Sequence, residues 1–142
     1  MFDSLEIIKE KSHKDASLKL NELISQFIEK NEKFNLGLSG GNTPKLFYQT
    51  FAELNQENSD ITLWTVDDRH VHLKDEISNQ RMINSIFNIT KMNILELQFN
   101  EDPNKSAEDY SKLVFSKIQT FDSAILGAVS YTHLTLPTMM SV

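Results

Sequence analysis

The order of apolar spacings constrains this chain more than any other feature. Segments whose apolar residues fall three and four apart alternate with shorter segments in which apolar residues cluster or recur at every second position. Leu20, Leu23, Ile24, Phe27 and Ile28 predict a helix over 16–31, after which Phe34, Leu36 and Leu38 predict a strand running into Ser39-Gly40-Gly41-Asn42-Thr43-Pro44. Leu46, Phe47, Phe51 and Leu54 return to helical spacing, with Pro44 suited to the first helical position and Thr43 to the N-cap before it. Ile61, Leu63, Trp64 and Val66 form the next strand, which stops at Asp67-Asp68-Arg69-His70. Met82, Ile83, Ile86 and Phe87 mark a helix over 78–88 capped by Ser78 or Asn79, and Leu95, Leu97 and Phe99 alternate as a strand. Asp102-Pro103-Asn104 breaks it before a helix bearing Tyr110, Leu113, Val114, Ile118 and Phe121, and Ala124-Ile125-Leu126 begins a last strand. Strands alternating with helices at this interval predict one mostly parallel sheet covered by helices on both faces.

Composition narrows the setting. The 142 residues include no Cys, which excludes a disulfide-stapled module, and 39% hydrophobic with 24% charged residues is the balance of a packed globular chain. A net charge of -6 argues against a nucleic-acid or anionic-membrane partner, because both are drawn by basic fields. Residues 1–11 are charged and lack the apolar core of a signal peptide, and no stretch reaches transmembrane length, so the expected location is the cytoplasm. Residues 128–142 differ from the rest: all 14 basic and all 20 acidic side chains lie in residues 1–127. The tail is either a buried strand with a turn at Pro137 or sequence that does not belong with the preceding domain.

Chemistry concentrates where strands end. Ser39 to Pro44 join two glycines that let backbone approach a ligand, hydroxyls that can donate, and a helix start whose free N–H groups and dipole favour an anion such as phosphate. The same residues also fit an ordinary strand-to-helix turn with a Thr cap. Arg69 is a permanently charged fork suited to phosphate or carboxylate, and Asp67 or Asp68 can move a proton or orient sugar hydroxyls; the alternative is a solvated acidic loop. In an open parallel sheet, loops leaving strand carboxyl ends can converge on one crevice. His70-Val71-His72 raises a metal site, but without a further ligand set it reads more simply as a surface loop, and no metal is assigned. No nucleophile elbow, Walker loop or dinucleotide fingerprint is present.

Leu36-Gly37-Leu38-Ser39-Gly40-Gly41-Asn42-Thr43-Pro44, then Trp64-Thr65-Val66-Asp67-Asp68-Arg69-His70-Val71, then Ser78-Asn79, in that order and spacing, resemble the 6-phosphogluconolactonases of the pentose phosphate pathway, within the larger glucosamine-6-phosphate isomerase group. The resemblance implies a three-layer αβα sandwich around a mostly parallel, Rossmann-like sheet, incomplete at the C-terminus. It implies that Ser39, Gly40, Gly41, Asn42 and Thr43 cradle the phosphate of a phosphosugar lactone, that Arg69 helps bind it, and that Asp67 matches the proton-transferring aspartate of the isomerase relatives. Asp68 stands where the family usually has Glu, and Arg69 favours the lactonase branch over an isomerase or deaminase relative. The implied reaction is lactone hydrolysis with no metal or organic cofactor.

One part of the family pattern is not met. The family's general base is a His in a segment resembling Gly-x-Gly-x-Asp-Gly-His-Thr-x-Ser-Leu-Phe-Pro, whereas this chain reads Gly127-Ala128-Val129-Ser130-Tyr131-Thr132-His133-Leu134-Thr135-Leu136-Pro137. His133 falls at the offset of that base, but the second and third glycines and the Asp are missing. The expectation is therefore an N-terminal family portion over residues 1–127, an atypical tail over 128–142, and a chain that binds phosphosugar without turning it over.

Overall fold

In the computed structural model residues 4–127 are described, and they form four strands and four helices in strict alternation after the first helix. The helices are α1 (His13–Glu29), α2 (Lys45–Leu54), α3 (Asn79–Phe87) and α4 (Pro103–Lys117); the strands are β1 (Phe34–Leu38), β2 (Ile61–Thr65), β3 (Asn93–Ile94) and β4 (Ser123–Ile125). The sheet runs in the order β3-β2-β1-β4 and every pairing is parallel, with Leu36 opposite Leu63 and Leu38 opposite Ile125. This is the expected α/β architecture.

Two cores lie on either side of the sheet. Leu36, Leu38, Ile61 and Leu63 pack with Ile24 of α1, Phe47, Tyr48 and Phe51 of α2, and Ile83 and Phe87 of α3. Full burial of an aliphatic or aromatic side chain stabilises by about 1.5–3 kcal/mol, so these strand positions hold β1 and β2 at the centre of the domain. The opposite face is covered by α4, whose Val114 and the following Ile118 pack with Leu95, Trp64 and Tyr110. The Trp64 indole lies over Gly37, where a Cβ would overlap its ring. Glycine at that position is what lets the largest side chain lie flat on a central strand.

Element boundaries depart from the periodicity in three places. α1 starts at His13 because the Ser12 hydroxyl accepts the Asp15 N–H and caps it there. α4 ends at Lys117, and Phe121 lies beyond it, with its ring 4.8 Å from that of Trp64. The strand expected at Leu95, Leu97 and Phe99 is instead Asn93–Ile94, extended by one bond from Leu95 N to Leu63 O at 2.9 Å. Side chains end it. The Tyr110 hydroxyl accepts from Thr65 N at 2.7 Å and donates to Leu95 O at 3.1 Å, standing where the next bond of the ladder would form, and Leu97 N turns to Gln80 Oε1 at 3.0 Å.

Candidate functional site

The loop after β1 is built as an array of donors. Ser39 is buried and its Oγ has no hydrogen-bond partner. Three carbonyl oxygens of the loop are taken up from outside it or by the next turn: Ser39 O accepts from the Tyr48 hydroxyl at 2.7 Å, Asn42 O from Lys45 N at 3.3 Å, and Thr43 O from His13 Nε2 at 2.7 Å. The N–H groups of residues 40–43, by contrast, meet no acceptor among the described residues. Gly41 takes φ +92, a left-handed conformation that side chains resist, and open space surrounds the position its Cβ would occupy. The expected Thr43 cap is not made. Pro44 already has helical dihedrals and its carbonyl accepts Tyr48 N at 3.0 Å, so α2 begins without a side-chain cap and its N-terminal dipole faces the loop.

The loop after β2 divides its two aspartates. The Asp68 carboxylate accepts from the N–H groups of Arg69 (2.8 Å), Asn79 (2.7 Å) and Gln80 (2.9 Å) and from the Ser78 hydroxyl (3.3 Å), while Ser78 Oγ accepts from Arg81 N at 3.1 Å. Asp68 is therefore a helix cap for α3, leaving no free face for proton transfer. Asp67 is exposed, and its carboxylate has no hydrogen-bond partner among the described residues. Its main-chain oxygen accepts from Asn79 Nδ2 at 2.9 Å, and Asn79 Oδ1 accepts from Arg69 Nη1 at 2.7 Å. The same Asn79 amide lies directly against Gly40. One buried side chain thus joins the glycine loop, Asp67 and Arg69.

A cavity of about 530 Å³ opens beside this junction, where Tyr110 parts β2 from β3; Asp67, Arg69, His70, Phe99 and Tyr110 line it. Residues 39–43 do not. Asp67 and Arg69 stand at its rim, and the glycine loop meets them through Asn79 without sharing that cavity. His70 stacks on Phe99 and the His72 ring packs against it at a tilt, with ring centroids 4.8 and 3.9 Å away, and His70 Nε2 donates to Asn100 O at 2.6 Å. Among the described residues no group of three or more His, Asp or Glu is placed to hold a metal ion.

Burial pushes the Tyr48 hydroxyl up to about 12, against the opposing pull of its bond to Ser39, and the nearby Asp67 charge adds to the rise. The Tyr110 hydroxyl is likewise raised by burial, partly offset by its bond to Thr65. Tyr110 reads from sequence as a member of an apolar stripe and Tyr48 is not singled out there; the only signal was the hydroxyl each carries into the core. Gln80 is fully buried, and its Oε1 accepts from Thr65 Oγ1 (2.7 Å) as well as Leu97 N. Its sequence signal is a polar residue at the start of a helix whose later turns are apolar. His133 lies outside the described residues.

A parallel sheet whose order reverses beside its first strand, with a donor-rich glycine loop on one strand end and an Arg–Asp loop on the next, defines an open α/β protein of the doubly wound class. The model of the family described as glucosamine-6-phosphate isomerases/6-phosphogluconolactonase matches residues 9–134, and the chain belongs to that family. It is 29% identical over 113 residues to the 6-phosphogluconolactonase of Thermotoga maritima, covering 77% of this chain and 51% of that protein. It is 30% identical over 95 residues to a putative 6-phosphogluconolactonase of Caenorhabditis elegans, covering 64% and 35%. The crystal structure of the Thermotoga maritima 6-phosphogluconolactonase superposes with a TM-score of 0.73 at 26% identity, over 82% of this chain and 56% of that one. The chain therefore spans about half the length of that relative. No helix among the described residues is long and apolar enough to cross a membrane.

Proposed function

We propose that this chain carries the phosphate-binding part of a 6-phosphogluconolactonase site, the family reaction being hydrolysis of 6-phosphogluconolactone to 6-phosphogluconate in the pentose phosphate pathway. The observation that carries the reading is the loop of residues 39–43, in which N–H groups and the buried Ser39 hydroxyl lack acceptors while the Ser39, Asn42 and Thr43 carbonyls are held by donors. On this reading Ser39, Gly40, Gly41, Asn42 and Thr43 receive the phosphate at the α2 N-terminus, and Arg69 supplies the opposite charge. Asp67, the carboxylate left without a partner, is the group available to move a proton. Hydrolysis adds water to the lactone carbonyl, breaks the bond to the ring oxygen, and passes a proton to that oxygen, so it needs a general base beside the carbonyl. The chain is then a cytoplasmic protein whose partner is a small phosphosugar, while its net charge of -6 argues against a nucleic acid or an anionic membrane.

The segment from Gly127 to His133 lacks the glycines that would fold a base back over the substrate, and general acid–base assistance is worth about 10²–10⁴-fold. Binding without appreciable turnover is therefore expected of this polypeptide. The charge break at 127/128 supports a boundary there, whereas the family match running on to residue 134 supports continuity; the genomic sequence downstream of the Gly127 codon decides between them. Binding is tested by calorimetry with 6-phosphogluconate and with gluconate. Heat with the first and none with the second is expected, with Arg69→Ala weakening it more than Arg69→Lys. Equal binding of the two sugars would refute the phosphate reading. In a hydrolysis assay corrected for the spontaneous rate, robust turnover abolished by His133→Ala would show that residues 128–142 are functional.

A further inference from the structure

We propose that His13 is a positioning residue of the anion cradle: it holds the Thr43 carbonyl so that the N–H groups of residues 40–43 remain free for a phosphate. A carbonyl oxygen only accepts, so His13 Nε2 is the donor in its 2.7 Å contact with Thr43 O. The loop presents N–H groups that attract an anion and carbonyl oxygens that repel it, so a donor that holds one of those oxygens away favours the anion. Tyr48 and Lys45, both from α2, hold the oxygens of Ser39 and Asn42, while His13 reaches from the first residue of α1. The Thr43 oxygen needs an external donor most. Its peptide is closed by Pro44, which has no N–H, so the Thr43–Pro44 amide offers only an acceptor.

The position in the fold agrees. Strand order reverses between β1 and β4, and in open α/β sheets the crevice beyond the strand ends at that reversal is where ligands bind. A cavity of about 180 Å³ lies there, lined by His13, Thr43, Pro44 and Gly127 among others. His13 therefore fixes the last peptide of the loop from the side of the crevice.

This inference rests on the phosphate reading above, and one titration separates them. The ¹⁵N-labelled 142-residue chain is titrated with sodium phosphate while the amide signals of Gly40 and Gly41 are followed. Saturable shifts are expected in the wild type. His13→Ala is expected to weaken affinity about fivefold, the effect of one ordinary hydrogen bond. Ala is the better helix former, so α1 itself is not weakened. His13→Gln, whose amide can donate from nearly the same place, is expected to recover wild-type affinity within about twofold. Unchanged affinity in His13→Ala overturns the inference and leaves the phosphate reading standing, and so does a loss that His13→Gln fails to recover. Absence of saturable shifts in the wild type overturns both.

Discussion

Gly40→Ala tests whether the two loops are coupled through Asn79. A methyl group at Gly40 would sit inside the Asn79 amide, well under the 3.0 Å that real Cβ atoms keep. Asn79 is buried, and its amide is fixed by bonds to Asp67 O (2.9 Å) and from Arg69 Nη1 (2.7 Å). Either the amide stays and the loop strains, at about 1–3 kcal/mol for overpacking, or it swings away and both bonds are lost, at about 1 kcal/mol each. The two routes are alternatives and the cheaper one is taken, so the expected cost is about 1–2 kcal/mol. With a urea m-value near the middle of the usual range, about 2 kcal/mol/M, the unfolding midpoint should fall by about 0.5–1 M. Gly41→Ala meets open space and suffers only its positive φ, so its cost should be nearer 1 kcal/mol. In an Asn79→Ala background the obstacle is gone, and Gly40→Ala should cost under about 0.5 kcal/mol. The same penalty in both backgrounds would refute the coupling, because the methyl would then be meeting something other than the amide.

Three further outcomes follow from the same geometry. Asp68→Ala should lower stability by about 1–2 kcal/mol in denaturant unfolding, through loss of the α3 cap, while Asp67→Ala should change it by less than about 0.5 kcal/mol; equal effects would contradict the division of labour between them. Tyr48 is neutral when protonated and its folded value of about 12 lies above the ordinary 10.0. Its contribution is thus complete below about pH 10 and drains as pH rises toward 12, by about 2–3 kcal/mol, which stability measurements across pH 9–12 on wild type and Tyr48→Phe would detect as a shallower decline in the variant. Tyr110→Phe leaves Thr65 N and Leu95 O without the hydroxyl between them and should cost about 1–3 kcal/mol in thermal or urea unfolding; a neutral result would mean that β2 and β3 close the ladder directly.

What could be read from the chain, and what could not, divides by the range of the interaction that decides it. α2 and α3, β1 and β2, and the parallel sheet follow from spacing within a dozen residues, because burial of one face is what makes those elements. The glycine loop is visible for the same reason, since Gly-Gly-Asn-Thr-Pro carries its own turn chemistry. β3 is different: its end is fixed by Tyr110 and Gln80, side chains far along the chain that spacing treats as one more apolar and one more polar position. Asp67 and Asp68 are likewise indistinguishable as neighbours in an acidic run, and only the placement of α3 makes one a cap and leaves the other free. Thr43 also departs from its local signal. Its sequence favours capping, yet Pro44 begins the helix without a side-chain cap, and the contact Thr43 does make, from its carbonyl to His13 30 residues earlier, is invisible to spacing. A loop in which the Ser39, Asn42 and Thr43 oxygens are held from two helices while the N–H groups of residues 40–43 are left open turns its donors outward, and that imbalance, more than any single residue, distinguishes it from a turn that merely links a strand to a helix.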